Sequence, residues 1–131
     1  YQDALAHLVE RPPEAAGILL GPVQDDLLVT HFVPDLEGHG CSASFRLHAA
    51  SLNKTLTRMK SAELNCKGIV HSHPSGVCQP SLGDVAYLTT LFELPENSTA
   101  SQFFMPIVCD GRMFPYVFAG GRVWIAEMAL V

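Results

Sequence analysis

The sequence lacks an excess of basic residues, a long apolar run and any C-x-x-C pair. Its 8 lysines and arginines stand against 13 aspartates and glutamates, and the net charge of −5 argues against general binding to nucleic acids or anionic membranes. No apolar run approaches the roughly 20 residues that a membrane-spanning helix needs. The missing C-x-x-C pair argues against a zinc ribbon and against a thioredoxin-like motif.

The chain has 4 cysteines, at positions 41, 66, 78 and 109. Cys66 and Cys109 lie beside or within apolar, strand-like runs, which is typical of small buried side chains. This pattern favours reduced thiols over a disulfide framework. We therefore expect a reduced, cytoplasmic protein.

Composition and periodicity together predict one α/β domain over residues 1–131. Of these residues 48% are hydrophobic and 16% are charged, which suits a globular chain with a single core. Helical spacing of apolar residues predicts helices at 3–10, 51–64 and 81–92. Short apolar runs predict strands at 15–20, 27–33, 45–47, 67–71, 103–108, 113–118 and 122–129. The order of these elements indicates a mixed β-sheet flanked by helices.

Two dipeptides predict tight hairpin turns between the last three strands. They are Asp110-Gly111 and Gly120-Gly121. Residues 34–42 are polar and contain glycine, which is typical of a loop.

Residues 71–84 carry the pattern H-x-H-x7-S-x2-D. His71 and His73 lie two residues apart at the end of a predicted strand, so side-chain alternation directs both imidazoles to one face. Asp84 falls in the first turn of the next predicted helix, and a short loop with prolines and a glycine joins the two elements. Two imidazoles and a carboxylate are ligands of the type found in catalytic zinc sites, which keep a fourth position open for water. The pattern therefore predicts one Zn²⁺ ion bound by His71, His73 and Asp84.

The end of this pattern has a second interpretation. Ser81-x-x-Asp84 is also a helix capping box, and capping alone would explain both residues. The two interpretations are compatible, because Ser81 can cap the helix while Asp84 turns toward a metal.

The run His71-Ser-His73-Pro-Ser-Gly…Pro-Ser81-x-x-Asp84 resembles the JAMM motif of the MPN-type zinc metalloproteases, also called JAB domains. That family carries a glutamate just before a G-[IVL]-L-x-G strand. The segment Glu14-Ala-Ala-Gly-Ile-Leu-Leu-Gly21 is similar to this signature. The resemblance covers nearly the whole chain and implies the single-domain, cytidine-deaminase-like JAB/MPN fold.

The resemblance also implies how the site residues act. His71, His73 and Asp84 would hold the zinc, and Glu14 would accept a proton from the metal-bound water and pass it to the leaving amine. Ser81 would hydrogen-bond the oxyanion that forms at the scissile carbonyl. Glu14 and Ser81 are thus the expected catalytic residues.

The implied reaction is hydrolysis of the amide bond after the C-terminal glycine of ubiquitin or a ubiquitin-like protein, in precursor maturation or in deconjugation. The expected partners are this substrate and E1- or E2-like proteins of its pathway. The compact chain is more similar to prokaryotic JAB proteins than to large deubiquitinases. Residues 34–44 are either a docking edge for the extended substrate tail or an ordinary solvated connection.

Other functions stay open at this point. The same chemistry would suit a peptidase that processes a sulfur-carrier or phage-tail protein. A non-catalytic MPN scaffold is a further alternative, although such scaffolds usually lack the zinc ligands that this chain keeps. A DNA-associated role of the RadC type is disfavoured by the acidic charge balance.

Overall fold

A computed structural model describes residues 1–9, 15–36, 39–41, 44–46, 49–95 and 100–131. The described helices are α1 (Gln2–Val9), α2 (Ala49–Lys60) and α3 (Leu82–Glu93). The described strands are β1 (Ala16–Pro22), β2 (His31–Pro34), β3 (His39–Cys41), β4 (Ser44–Arg46), β5 (Leu64–Ser72), β6 (Phe103–Phe104), β7 (Ile107–Cys109), β8 (Arg112–Phe114), β9 (Tyr116–Ala119) and β10 (Arg122–Ile125).

Eight strands form one mixed sheet around β5. The main path runs β10-β9-β6-β5-β1-β2, and the β7–β8 hairpin joins it through β7, which pairs with β5. β5 is antiparallel to β1 but parallel to β6 and β7, while β3 and β4 form a separate hairpin. β5 is therefore hydrogen-bonded on both edges, and its C-terminal end lies between β1 on one side and β7 on the other.

Helices cover both faces of this sheet. On one face, Ile18 and Ile69 pack with Leu88 of α3, and Met59 of α2 adds to the same cluster. On the other face, Leu19 and Val70 pack against α1 through Ala4 and Leu8. Alternation along β1 and β5 produces this division, because successive side chains leave opposite faces of a strand. The predicted α/β fold, a mixed sheet flanked by helices, is confirmed.

Proline divides two of the predicted strands. Residues 103–108 form β6 and β7 with Pro106 between them, and residues 113–118 form β8 and β9 with Pro115 between them. Proline offers no N–H for a ladder hydrogen bond, so it interrupts pairing at these positions. β6 and β7 both pair with β5 on one edge, but on the other edge β6 pairs with β9 and β7 pairs with β8.

Several other boundaries differ from the sequence prediction, and the last strand, predicted at 122–129, ends at Ile125. The strand predicted at 27–33 begins only at His31, because residues before it form a turn in which Asp25 Oδ1 accepts the N–H of Leu27 at 2.9 Å. The helix predicted at 51–64 ends at Lys60, and Leu64 already belongs to β5. Part of the loop predicted at 34–42 is strand β3.

Both predicted hairpin turns are present. Asp110 and Gly111 join β7 to β8 with φ values of 51° and 72°, and Gly120 and Gly121 join β9 to β10 with φ values of 59° and 73°. Positive φ at both central residues gives the turn that matches the twist of a hairpin. Within the described part of the chain, no helix has the length and apolar character needed to cross a membrane.

Candidate metal centre

His71 and His73 lie at the end of β5, where the backbone is held from the side of β7. The N–H of His71 donates to Pro106 O at 3.3 Å, and the N–H of His73 donates to Val108 O at 2.9 Å. Both side chains lie on the same face of the sheet as Ile69, the face covered by α2 and α3, because His71 and His73 follow Ile69 at intervals of two residues. Both histidines are buried, with 3% and 7% of their surface exposed.

Asp84 reaches the two histidines from the first turn of α3. Ser81 is the N-cap of this helix: its Oγ accepts the N–H of Asp84 at 3.1 Å, and its own N–H donates to Asp84 Oδ2 at 2.7 Å. The reciprocal pair is a capping box, which satisfies two of the free donors at a helix start. It also fixes the Asp84 carboxylate in one orientation.

The same carboxylate faces both imidazoles. Asp84 Oδ1 lies 3.2 Å from His71 Nε2, and Asp84 Oδ2 lies 3.2 Å from His73 Nε2. The two Nε2 atoms are 2.8 Å apart. A tetrahedral zinc ion with bonds of about 2.0–2.1 Å separates its ligand atoms by about 3.3 Å. The two histidine–aspartate distances match this separation, and the Nε2–Nε2 distance is about 0.5 Å shorter, so the donor set fits one zinc ion once the two rings move slightly apart.

The electrostatics of the site keep this carboxylate charged. Burial raises the pKa of Asp84, but hydrogen bonds with His71 and His73 and the N–H of Ser81 outweigh burial and hold this pKa well below its usual range. A charged carboxylate is the form that binds a metal ion, so no proton has to be removed from Asp84 before binding.

A second contact orients the His73 ring. His73 Nδ1 lies 2.9 Å from the carbonyl oxygen of Val77, an acceptor that requires a proton on Nδ1. In a neutral imidazole the lone pair then lies on Nε2, the atom that faces Asp84 and His71. Backbone carbonyls commonly orient ligating histidines in this way.

The loop that supplies the Val77 carbonyl is bonded to the β7–β8 turn. Asp110 accepts hydrogen bonds from Ser75 Oγ at 2.6 Å and from the N–H of Gly76 at 3.1 Å, and these bonds lower the pKa of Asp110. Cys78 is joined to Cys109 by a disulfide bond with a Cα–Cα distance of 5.3 Å. Tyr116 Oη adds a hydrogen bond to Cys78 O at 3.2 Å.

This disulfide corrects the expectation from the sequence. Cys109 is buried, as predicted, but it is not a free thiol, and Cys78 is its partner. Cys66 is free and half-buried. Asp110 Oδ2 lies 3.6 Å from the sulfur atoms of both bonded cysteines. Cys78, Cys109 and Asp110 lie close enough to form a second group of potential metal ligands. Because the two sulfurs are bonded to each other, this group offers no thiolate.

Ser72, between the two histidines, contacts the chain just before β1. Its N–H donates to Ala15 O at 2.8 Å, and its Oγ accepts the N–H of Ala15 at 3.1 Å. The residue next to Ala15 in the sequence is Glu14, the predicted general base, which lies outside the described residues. The structure thus brings together His71, His73, Asp84 and Ser81, and the role of Glu14 stays a prediction.

Sequence reasoning missed the residues that support these ligands. Asp110 was assigned only to a hairpin turn, and Ser72 and Ser75 were given no role. Their contacts span 35 residues for Ser75–Asp110 and 57 for Ser72–Ala15, so no local spacing reveals them. The one available signal for Asp110 is its position in a turn that follows a strand parallel to β5.

The family follows from a comparison of the sequence with known domain families. A profile described as prokaryotic homologs of the JAB domain matches residues 1–117. The chain belongs to this family. The profile covers β5, α3 and every residue of the candidate metal centre, so the predicted relationship to JAB domains is confirmed.

Solved structures similar to this JAB domain share its fold. A protein from Desulfitobacterium hafniense superposes with a TM-score of 0.74 at 19% identity, covering 99% of this chain and 87% of that one. A protein from Salinibacter ruber gives a TM-score of 0.61 at 21% identity, covering 97% and 84%. No curated protein matches the chain.

Proposed function

We propose that this JAB domain is a zinc-dependent peptidase that hydrolyses the amide bond after the C-terminal glycine of ubiquitin or a ubiquitin-like protein. The observation that carries the proposal is the convergence of His71, His73 and Asp84, whose donor atoms lie within 4.8 Å of one another. Membership of the JAB family supports the hydrolytic chemistry. An MPN scaffold without catalysis would not need this set of donors.

The ligands would come from two rigid elements. His71 and His73 would bind through Nε2 and Asp84 through its carboxylate, and a zinc ion held there supplies a Lewis acid that lowers the pKa of water toward about 7 and polarises a carbonyl group. Val77 O keeps the His73 ring in the orientation that presents Nε2. The capping box does the same for Asp84.

Glu14 would be the proton carrier of the reaction. A carboxylate beside the site would accept a proton from the attacking water and later donate it to the leaving amine. Ala16 pairs with His71 in the β1–β5 ladder. Glu14 stands two residues before Ala16 in the sequence, which is the basis for assigning it this role.

Ser81 would act on the carbonyl oxygen of the substrate. Its Oγ already accepts one hydrogen bond, from the N–H of Asp84, and its own proton can still be donated. A donor at this position would stabilise the negative charge that develops on the scissile carbonyl. Ser81 would therefore both start α3 and contribute to catalysis.

A fusion substrate tests the reaction. Purified protein is analysed for zinc and then incubated with ubiquitin, and with ubiquitin-like proteins, each extended by a peptide beyond the terminal glycine. We expect about one zinc per chain and cleavage after the glycine that a chelator abolishes and added zinc restores. Glu14→Gln should keep the zinc and lose at least about a hundredfold in turnover, whereas His71→Ala should lose the zinc.

Each part of the proposal can fail separately. A protein prepared with ample zinc that contains none would contradict the metal assignment. A zinc-loaded protein that cleaves none of the fusions would contradict the substrate class. Cleavage of a sulfur-carrier precursor alone would mean that the enzyme processes sulfur carriers and not ubiquitin-like modifiers. Binding to E1- or E2-like proteins would be tested on the same preparation.

A further inference from the structure

One buried hydroxyl connects the metal ligands to the chain that precedes β1. Ser72 stands between His71 and His73 and points to the opposite face of β5 from both imidazoles. Only 4% of its surface is exposed. The position contributes nothing to the ligand set, so its polar side chain calls for another explanation.

The Ser72 hydroxyl bonds to both backbone polar groups of Ala15. Its Oγ accepts the N–H of Ala15 at 3.1 Å and donates to Ala15 O at 3.3 Å. The backbone N–H of Ser72 donates to the same carbonyl at 2.8 Å. In the adjoining pair, Ala16 lies opposite His71. The side chain of Ser72 thus extends the β1–β5 ladder by one residue, to the point where the chain leaves β1.

We propose that Ser72 is a positioning residue for the general base of this site. It would hold Ala15, the residue that follows Glu14 in the sequence, against the strand that carries His71 and His73. The proposal rests on the proposed function, in which Glu14 carries the proton. In the segment His71-Ser72-His73, the two histidines would then bind the metal and the serine would position the general base.

The expected effect follows from the need for alignment. Proton transfer requires donor and acceptor within hydrogen-bond distance, and displacement by about 1 Å can cost about a hundredfold in rate. Without the hydroxyl, the N–H of Ala15 loses its side-chain acceptor, and Ala15 is held to β5 less tightly. His71 and His73 keep their own backbone bonds to Pro106 and Val108, so metal binding should be spared.

Ser72→Ala in the full chain tests this, with Ser72→Thr as the variant that retains the hydroxyl. Ile69→Val is the matched control, because it destabilises the same strand through a buried apolar contact and leaves the hydroxyl in place. Turnover is measured on a ubiquitin-like fusion cleaved by the wild type, zinc affinity by competition with a chelator, and the exchange rate of the Ala15 amide proton by NMR.

We expect Ser72→Ala to lower kcat about ten- to a hundredfold. Zinc affinity should stay within about threefold of wild type, and the Ala15 amide should exchange faster. Ser72→Thr should recover most of the kcat. Ile69→Val should leave kcat unchanged. In a Glu14→Gln background, Ser72→Ala should cause no further loss, because two residues that act through one step are not additive.

Three results would overturn the proposal. One is an unchanged kcat in Ser72→Ala with faster exchange at Ala15, which would make the hydroxyl purely structural. Another is a parallel loss of zinc affinity and kcat, which would place the effect on the ligands. The third is an additional loss on top of Glu14→Gln. A wild type that cleaves no fusion would instead remove the proposed function itself.

Discussion

Asp84 serves two structures at once, and this is the central feature of the site at the scale of single residues. Its Oδ2 accepts the N–H of Ser81 and also lies 3.2 Å from His73 Nε2. A carboxylate has enough lone pairs for both contacts. The capping and metal interpretations of Ser81-x-x-Asp84 are therefore compatible in this geometry.

Paired substitutions would separate the two roles. Asp84→Asn replaces a charged ligand by a neutral amide. Loss of a residue that only hydrogen-bonds a ligand costs about ten- to a hundredfold in metal affinity, so loss of the ligand itself should lower zinc affinity by more than about a hundredfold. Ser81→Ala removes the cap but keeps the carboxylate, so affinity should change little while stability falls by about 1 kcal/mol. Chelator competition and urea unfolding measure the two quantities.

The Ser81 variant also provides an independent test of its catalytic role. A lost oxyanion donor typically lowers kcat by about a hundred- to a thousandfold. If Ser81→Ala lowers stability but retains full turnover, Ser81 is a helix cap and nothing more. If Asp84→Asn binds zinc as tightly as the wild type, the carboxylate is not a ligand.

Residues that lie close in sequence could be predicted, and their distant supports could not. Alternation put His71 and His73 on one face, and the capping pattern put Ser81 and Asp84 at a helix start. The acceptor that orients His73 is a main-chain carbonyl of Val77, which no residue type reveals. Ser75 and Asp110 meet only because β7 lies beside β5.

At the scale of elements, the loop between β5 and α3 is linked to the β7–β8 hairpin by a disulfide bond and by hydrogen bonds. This loop, residues 73–80, is bonded to the end of β7 through the Cys78–Cys109 disulfide and through Asp110. It carries the Val77 carbonyl that orients His73. The metal centre therefore depends on a third element, the β7–β8 hairpin, in addition to β5 and α3.

Removal of the disulfide should lower stability. The bond joins positions 31 apart, and a closed loop of this size stabilises the folded state by about 2–4 kcal/mol, mainly by restricting the unfolded chain. A variant with both Cys78→Ser and Cys109→Ser should unfold at correspondingly lower urea concentration. A thiol reductant should shift the wild type to the same midpoint and leave the double variant unchanged.

If the reductant leaves the wild-type midpoint unchanged and alkylation then modifies neither Cys78 nor Cys109, the disulfide was protected from the reductant. Complete alkylation with no change in midpoint would contradict the expected stabilisation. When alkylation is done in urea, which exposes all thiols, Cys66 is the internal reference, since it is free in either redox state.

Element types were easier to predict than element ends. The three helices in the described part of the chain, together with β1 and β5, follow from periodicity, and Ser81 marks the start of α3 correctly. Pro106 and Pro115 were present in the sequence but lay inside apolar runs that suggested continuous strands. Their effect depends on which neighbour each strand pairs with, and such pairing is set by the whole sheet.

At the scale of the whole molecule, the free thiol links stability to alkaline pH. Burial raises the pKa of Cys66 from its ordinary value of 9.0 to about 11, although a hydrogen bond to Gly68 and the charge of Lys67 act in the opposite direction. The folded state therefore holds the thiol proton more tightly than the unfolded chain. This contribution is fully present below about pH 9 and is lost as pH rises toward 11.

Cys66→Ala tests this linkage. Two pKa units correspond to about 2–3 kcal/mol, so the wild type should lose about that much more stability than the variant between pH 8 and about 11. Urea unfolding at a series of pH values, in the presence of the intact disulfide, measures the difference. Parallel pH profiles for the two proteins would show that the Cys66 thiol ionises equally in both states.

The family and the fold are shown for the molecule as a whole. One domain over residues 1–131, a cytoplasmic location and ubiquitin-like partners stay predictions. Charge and composition excluded broad classes but could not point to a substrate. Only the arrangement of side chains at the end of β5 makes the chemical proposal specific.

The alternation of His71, Ser72 and His73 also determines which length changes the chain can accept. Deleting or inserting one residue in β5 after Gly68 would turn every later side chain to the opposite face. Both imidazoles would then point toward α1, and the hydroxyl of Ser72 would point toward α3. Surface turns such as residues 23–30 should accept insertions. Residues 68–73, which include both histidines and Ser72, should accept none.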